Sequence, residues 1–238
     1  MMKTPSVFLS GSLLGVCITV GVFYLRGPVA RHVLSLRAAG NGEIKETVPV
    51  RPNEASIGDP AAPVTMIEYS DFQCPYCALF HARTFPQIKA KYIDSGQLRF
   101  IHRHLPLPAH RQAVRAAEAA LCAGDQGLYW ALADLMFTRA TCLECQGVVE
   151  LSKAIPLDRG RFEECVSSER HRSDIDQDIA AAKSSSFQGT PSFVIGRTTP
   201  AGVDGISIEG ARAFEEFDAD IGRIVGKTTA ASVAREQP

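Results

Sequence analysis

The stretch Val64–Cys77, VTMIEYSDFQCPYC, decides the reading of the chain. Val64 to Tyr69 is β-branched and aromatic enough to form a strand. Ser70 and Asp71 end the run. Pro75 then follows Cys74 at a place that suits the first residue of a helix, where a missing N–H leaves nothing unpaired. Pro86 should kink or interrupt that helix, because an internal proline removes a hydrogen bond and clashes with the carbonyl four residues back. Leu98 to His102 (LRFIH) reads as the next strand. Strand, helix and strand of these lengths make a βαβ unit with parallel strands and a right-handed crossover.

Beyond this unit the period changes to that of helices. Val114, Ala117 and Leu121 share a helix face, and Leu128, Ala131, Leu132 and Leu135 repeat the pattern after the turn Asp125-Gln126-Gly127. Phe162, Cys165 and Val166 mark another face with Asp158 as a candidate cap, and Ile175, Ile179 and Ala182 mark a further one. Gly189-Thr190-Pro191 then leads into a strand at Ser192–Ile195. Ile206–Ile208 is a candidate second strand. Ala211–Val225 closes as a helix with Phe214, Phe217 and Ile221 on one face. The expected fold is therefore α/β: βαβ, a helical insertion over about 107–187, then ββα. The body spans 57–226, between a linker at 26–56 and a frayed tail at 227–238. Val48 and Val50 are candidates for a short edge strand within the linker.

Residues 6–25 carry no charge and lie between Lys3 and Arg26. At ~1.5 Å rise per residue, a helix of this length crosses a ~30 Å hydrocarbon core. No A-x-A cleavage site follows, so an uncleaved transmembrane anchor is expected behind a short cap at residues 1–5. Val16 before Cys17 argues against a lipoprotein. With Lys3 on one side and Arg26, Arg31 and Arg37 on the other, the positive-inside rule does not by itself place the body outside. Placement of the body in the periplasm or another extracytoplasmic space rests instead on the cysteines. Of seven, only Cys17 lies in the apolar segment. Cys74, Cys77, Cys122, Cys142, Cys145 and Cys165 form an even set, which favours an oxidising compartment. A net charge of −1 gives no basic field for nucleic acid.

The chemistry concentrates at Cys74 and Cys77. A cysteine at a helix start meets unpaired N–H groups and the positive end of the helix dipole. Its pKa should fall below the ordinary value of ~8.5, which makes Cys74 an exposed nucleophile. Cys77, one turn further in, would resolve a mixed disulfide. An inert staple, or a zinc site shared with Cys142 and Cys145, is the alternative. Pro191, opening a strand after Thr190, is a candidate cis-proline that would leave backbone groups free for an incoming peptide; an ordinary trans bond is the alternative. Glu68 lies six residues before Cys74 between apolar neighbours. Burial would raise its pKa and let it carry protons for Cys77, unless it faces outward.

Three ordered motifs extend this pattern: Arg103-His104-Leu105-Pro106-Leu107, Cys122-Ala123-Gly124-Asp125-Gln126-Gly127-Leu128-Tyr129-Trp130, and Gly189-Thr190-Pro191-Ser192-Phe193. Together with Glu68–Cys77 they make the chain resemble the DsbA-like thioredoxin-fold family from about Ile57 to Val225. The resemblance implies a thioredoxin fold with an inserted helical subdomain. It also implies Cys74 as attacking cysteine, Cys77 as resolving cysteine, Pro191 as the cis-proline and Glu68 as the buried acid. The expected substrate-binding residues are Pro75, Tyr76, Thr190 and Pro191. The expected activity is thiol-disulfide exchange on unfolded or exported proteins, with no cofactor beyond the Cys74–Cys77 disulfide, and the partner is a quinone-linked membrane oxidase or a reductase. An oxidase that introduces disulfides into exported proteins is expected ahead of an isomerase or reductase, although Pro-Tyr between the cysteines, where the strongest oxidases carry Pro-His, puts the direction of electron flow in doubt. Relatives that conjugate glutathione carry serine in place of the nucleophile, whereas both cysteines are present here.

Cys142 and Cys145 could form a local disulfide, a second redox pair or a metal clip, of which a structural role is favoured, and Cys122 and Cys165, both on apolar helix faces, are candidates to pair with each other. His81 is expected to be a solvated helix residue. His102, His104 and His110 should be scattered by their strand and loop placement. No metal site is expected. Two other classes of function compete with the enzyme: a metal-binding module using the cysteine pairs, and a membrane-tethered holdase without redox turnover.

Overall fold

The computed structural model describes residues 45–140 and 143–236, all in the unit that begins at Ile44. The cap and the anchor expected over 6–25 lie outside the described residues. Among the described residues no helix is long and apolar enough to cross a membrane.

Six strands form one sheet: β1 (Lys45–Val48), β2 (Ser56–Ile57), β3 (Val64–Ser70), β4 (Leu98–His104), β5 (Ser192–Thr199) and β6 (Gly202–Glu209). Their order is β1-β6-β5-β3-β4-β2. β3 and β4 are parallel, as the βαβ reading requires, and the other neighbours are antiparallel. All seven residues of β3 are buried, because both faces of the sheet are covered. The strand period of two assigns the faces. Val64 and Met66 pack with Phe100, Phe193, Phe80 and Phe217. Ile67 and Tyr69 pack on the other face with Ile101, Val194, Ala182 and Phe187. Glu68 follows Val64 and Met66 in phase and so points to the first face.

The helix after β3, α1 (Pro75–Arg83), stops where Pro86 forbids its continuation. Thr84 separates it from the short α2 (Phe85–Ile88), which runs into a π-helical turn at Lys89–Ile93. The helical insertion comprises α3 (Ala113–Gly124), α4 (Tyr129–Thr138), α5 (Leu143–Gln146), α6 (Val148–Leu151), α7 (Arg159–Ser167) and α8 (Arg172–Ser184). Asp158 caps α7 by accepting the Arg161 N–H. A disulfide joins Cys122 on α3 to Cys165 on α7. The insertion has its own core, and Phe72, Cys74 and Cys77 belong to it.

Two expectations at the ends are corrected. The linker at 26–56 supplies β1, an edge strand that ends at the candidate residue Val48, and the first residue of β2, so the body starts near Ile44 rather than Ile57. Strands this short pair through backbone, and apart from Val48 their sequence carries no apolar alternation to announce them. The closing helix, α9 (Phe214–Glu236), continues through most of the expected frayed tail, because Lys227–Glu236 is rich in alanine and charged helix formers and has no proline.

The segment between β1 and β2 is held by one buried cation. Arg103, on β4 and 1% exposed, donates to the Glu54 carboxylate at 2.6 Å, to the Tyr69 hydroxyl at 2.9 Å and to the Pro49 carbonyl at 2.6 Å. Replacing it by methionine removes one of two cations from the Glu54 carboxylate, to which Arg51 still donates at 2.9 Å, and takes the donor from the Tyr69 hydroxyl and the Pro49 carbonyl. Arg103→Met should lower the unfolding free energy by about 1.5–3 kcal/mol in urea titration. A loss below about 1 kcal/mol would show that this ion pair does not hold the segment.

Candidate active site

Asp71 builds the junction between β3 and α1. Its carbonyl accepts the Cys74 N–H at 3.0 Å, and its carboxylate accepts the Gln73 N–H at 2.8 Å. The second carboxylate oxygen takes the Leu107 N–H at 2.8 Å and His110 Nδ1–H at 2.7 Å, which fixes the loop after β4 against the turn. Cys74 thereby becomes the N-cap of α1, with extended backbone (φ −72°, ψ 121°), and Pro75 occupies the first turn.

The two cysteines are both reduced, and their surroundings differ in sign. The Cys74 thiol has its pKa lowered to about 6. A hydrogen bond from the Cys77 thiol is the largest cause; burial opposes it; the Thr190 side chain and the amides of Cys77 and Tyr76 add to it. The Cys77 thiol is pushed well above its ordinary value by burial first, then by its bond to Cys74 and by the negative charge of Glu68. The sequence led us to expect an exposed Cys74. It is instead only 3% exposed, and its thiol donates to the Thr190 carbonyl at 3.3 Å.

The Thr190–Pro191 bond is cis, and Pro191 is buried. The carbonyls around it are not all free: Thr190 O accepts from Cys74, and Pro191 O accepts the Gly210 N–H at 2.8 Å. Pro75 is exposed, Tyr76 is 63% exposed and Leu79 is 39% exposed. The outer surface of the first turns of α1 is thus an apolar ledge beside the buried sulfur.

Glu68 is fully buried, which excludes the outward-facing alternative. His81 Nε2–H donates to its carboxylate at 2.7 Å. Burial alone would raise the Glu68 pKa, as the sequence suggested. The charge and hydrogen bond of His81, with His102 and Ser70 adding to them, outweigh it and lower the pKa. His81 is therefore not a solvated helix residue: its side chain is 6% exposed and its ring stacks on Phe137 at 3.9 Å. Helical spacing set this, because His81 lies one turn beyond Cys77 and shares its inward face.

His102 and His104 are not scattered either. Two apart on β4, they share a face, with ring centroids 5.2 Å apart. The Tyr129 hydroxyl lies 2.7 Å from His102 Nδ1 and 3.3 Å from His104 Nε2. Register places His102 directly opposite Glu68. Glu68, His81 and His102 bring one potential ligand atom each within 4.8 Å of the others. Burial holds the His102 pKa well below its ordinary value, and burial with the charges of Arg51 and His171 holds His104 at about 3. His110 stays apart, on Asp71. Strand period alone predicts that His102 and His104 share a face. Tyr129 and Ser70 lie inside the quoted motifs, but nothing in the sequence assigned either a place in the site.

Cys145 is an exposed free thiol, which corrects its expected pairing with Cys142; Cys142 lies outside the described residues. The clusters of potential metal ligands found among the described residues include neither Cys74 nor Cys77.

A family model described as Thioredoxin matches residues 51–219. The chain is 37% identical over 168 residues to a protein named Na(+)/H(+) antiporter NhaA 3 of Salinispora tropica, which covers 70% of this chain but 25% of the antiporter. It is 25% identical over 181 residues to a Rickettsia conorii protein provisionally named a protein-disulfide oxidoreductase, over 73% of this chain and 65% of that one. Among solved structures, Wolbachia pipientis alpha-DsbA1 superposes with a TM-score of 0.67 at 28% identity, covering 77% of this chain and 96% of that chain. The chain thus spans about a quarter of the antiporter that it matches, and nearly all of the DsbA structure. The family match, the sheet order around β3 and the Cys-Pro-Tyr-Cys helix start agree: the chain belongs to the DsbA-like thioredoxin-fold family.

Proposed function

We propose that this chain is a protein thiol-disulfide oxidoreductase that introduces disulfides into exported proteins. Cys74 is the sulfur attacked by the client, and Cys77 is the sulfur that leaves and later resolves. The observation that carries this reading is the opposed environment of the two thiols. A low pKa at Cys74 favours its thiolate, which stabilises the reduced form and makes the disulfide more oxidising. Holding one thiol near 6 instead of its reference value of 9.0 favours the reduced state at pH 7 by on the order of 1 kcal/mol, a few tens of mV for a two-electron couple. The contribution is present above pH 6 and disappears as pH falls through that value.

The ledge formed by Pro75, Tyr76 and Leu79, with the cis Thr190–Pro191 turn beside it, is where a client segment would lie. The names of the Wolbachia structure and the Rickettsia relative support the reaction class. The antiporter's transport activity is not carried over, since the chain corresponds to a quarter of that protein. The Cys122–Cys165 disulfide supports an extracytoplasmic setting. Tethering by residues 6–25 and reoxidation by a quinone-linked membrane oxidase belong to the same proposal.

Two measurements test it. Equilibrated in glutathione buffers, the Cys74–Cys77 couple should have a potential nearer to about −120 mV than to about −270 mV; a value at the lower end would reassign the protein to reduction or reshuffling. In the reduced protein, iodoacetamide alkylation of Cys74 should rise with pH through a midpoint near 6. Cys77→Ala removes the largest cause of that low value, so its midpoint should move up by at least a unit. An unmoved midpoint would mean that the helix terminus alone activates Cys74.

A further inference from the structure

We infer that Glu68, the buried acid expected to carry protons for Cys77, is itself supplied through His102, Tyr129 and His104, a relay that opens into a cleft away from the client ledge. The inference rests on the oxidoreductase reading and adds the path by which its buried sulfur is served.

The chemistry requires such a path. When a client thiolate attacks Cys74 Sγ, the Cys74–Cys77 bond breaks and its electron pair leaves on Cys77 Sγ. The disulfide is reduced as the client is oxidised. The new Cys77 thiolate is fully buried beside a carboxylate, in surroundings that favour the thiol, and it must take up a proton. The client covers the ledge at that moment, so entry from solvent past Cys74 is blocked.

The groups that can deliver the proton are in place. The Ser70 hydroxyl is buried, lies two residues from Glu68 on the same face of β3, and bears on both the Glu68 carboxyl and the Cys77 thiol. Glu68 accepts from His81 through one oxygen, while Oε1 has no partner; His102 Nε2 is likewise buried and without a partner. Their cluster spans no more than 4.8 Å, a gap that one water molecule bridges. From His102 the Tyr129 hydroxyl continues to His104 at 2.7 Å and 3.3 Å. A hydroxyl between two ring nitrogens donates to one while accepting from the other, so it passes a proton without becoming charged. His102, Tyr129 and His104 line a cleft of about 790 Å³, together with Arg51, Asp178 and His171. None of residues 74–77 or 190–191 lines it.

The relay makes Tyr129 and His102 positioning residues for a proton, distinct from the sulfur chemistry. Tyr129→Phe removes the connecting hydroxyl and keeps the ring. The oxidised full-length chain would be mixed with a dithiol peptide, quenched in acid, and the appearance of the Cys77 thiol timed in a single turnover, in water and in deuterium oxide. Expected in Tyr129→Phe is a loss of about tenfold or more in that rate with a changed solvent isotope effect, while Cys74 alkylation in the reduced form stays as in the unsubstituted chain. His102→Gln should show the same loss. Single-turnover rates within twofold of the unsubstituted chain would overturn the relay, as would a rate loss accompanied by an equal loss of Cys74 alkylation, which marks structural damage. Absence of exchange in the unsubstituted chain would instead defeat the oxidoreductase reading, and the relay with it.

Discussion

The charge of Glu68 organises this site. An ionised carboxylate buried without compensation would cost more than a domain of this size has in stability. His81 supplies the compensation at 2.7 Å, and that requirement fixes the rotation of α1 about its axis. Residues three and four apart on a helix share a face. With His81 turned inward, Cys77 must lie above Glu68, and Cys74 must lie at the same edge one turn earlier. The Asp71 turn delivers Cys74 as the cap of that helix. The position of the reactive sulfur thus follows from the need to neutralise a charge deeper in the sheet.

The same charge separates the two thiols. Glu68 and burial make Cys77 hold its proton, and a protonated Cys77 is the donor that stabilises the Cys74 thiolate. A neutral residue at position 68 would relax both ends of this arrangement: Cys77 would ionise more readily and would give less to Cys74. The asymmetry that chemistry needs, one sulfur ready to be a thiolate and its neighbour reluctant, is therefore a property of four side chains acting together, Glu68, His81, Cys77 and Cys74.

The parts of this arrangement that obey a period were legible in the sequence. β3, the helix start at Cys74-Pro75, the break at Pro86 and the helices of the insertion follow from apolar spacing and proline chemistry. The Cys122–Cys165 pair was among the candidates because both residues sit on apolar faces. What escaped depended on register or rotation. The opposition of Glu68 and His102 requires knowing how β3 and β4 align. The inward turn of His81 requires knowing which face of α1 is buried. Its neighbours Ala78, Leu79, Phe80 and Ala82 are apolar nearly all round and do not say. Of the two short edge strands only β1 was signalled, by Val48; β2 and the rest of β1 escaped because strands of four and two residues are recruited by backbone pairing and by Arg103, not by an apolar pattern.

Those two short strands also constrain where a client can bind. They stand at the two ends of the six-stranded sheet, β1 beside β6 and β2 beside β4. Strands of four and two residues offer few backbone groups to an added strand, and short edges of this kind discourage edge-to-edge pairing. Recognition by extension of the sheet is thereby disfavoured at both ends. The client site proposed above lies instead at the C-terminal end of β3, where α1 begins and β5 starts after the cis Thr190–Pro191 bond. There the Thr190 carbonyl is already bonded to the Cys74 thiol. Ionisation of Cys74 removes the proton that makes this bond, so the carbonyl is released at the same step that makes the sulfur reactive.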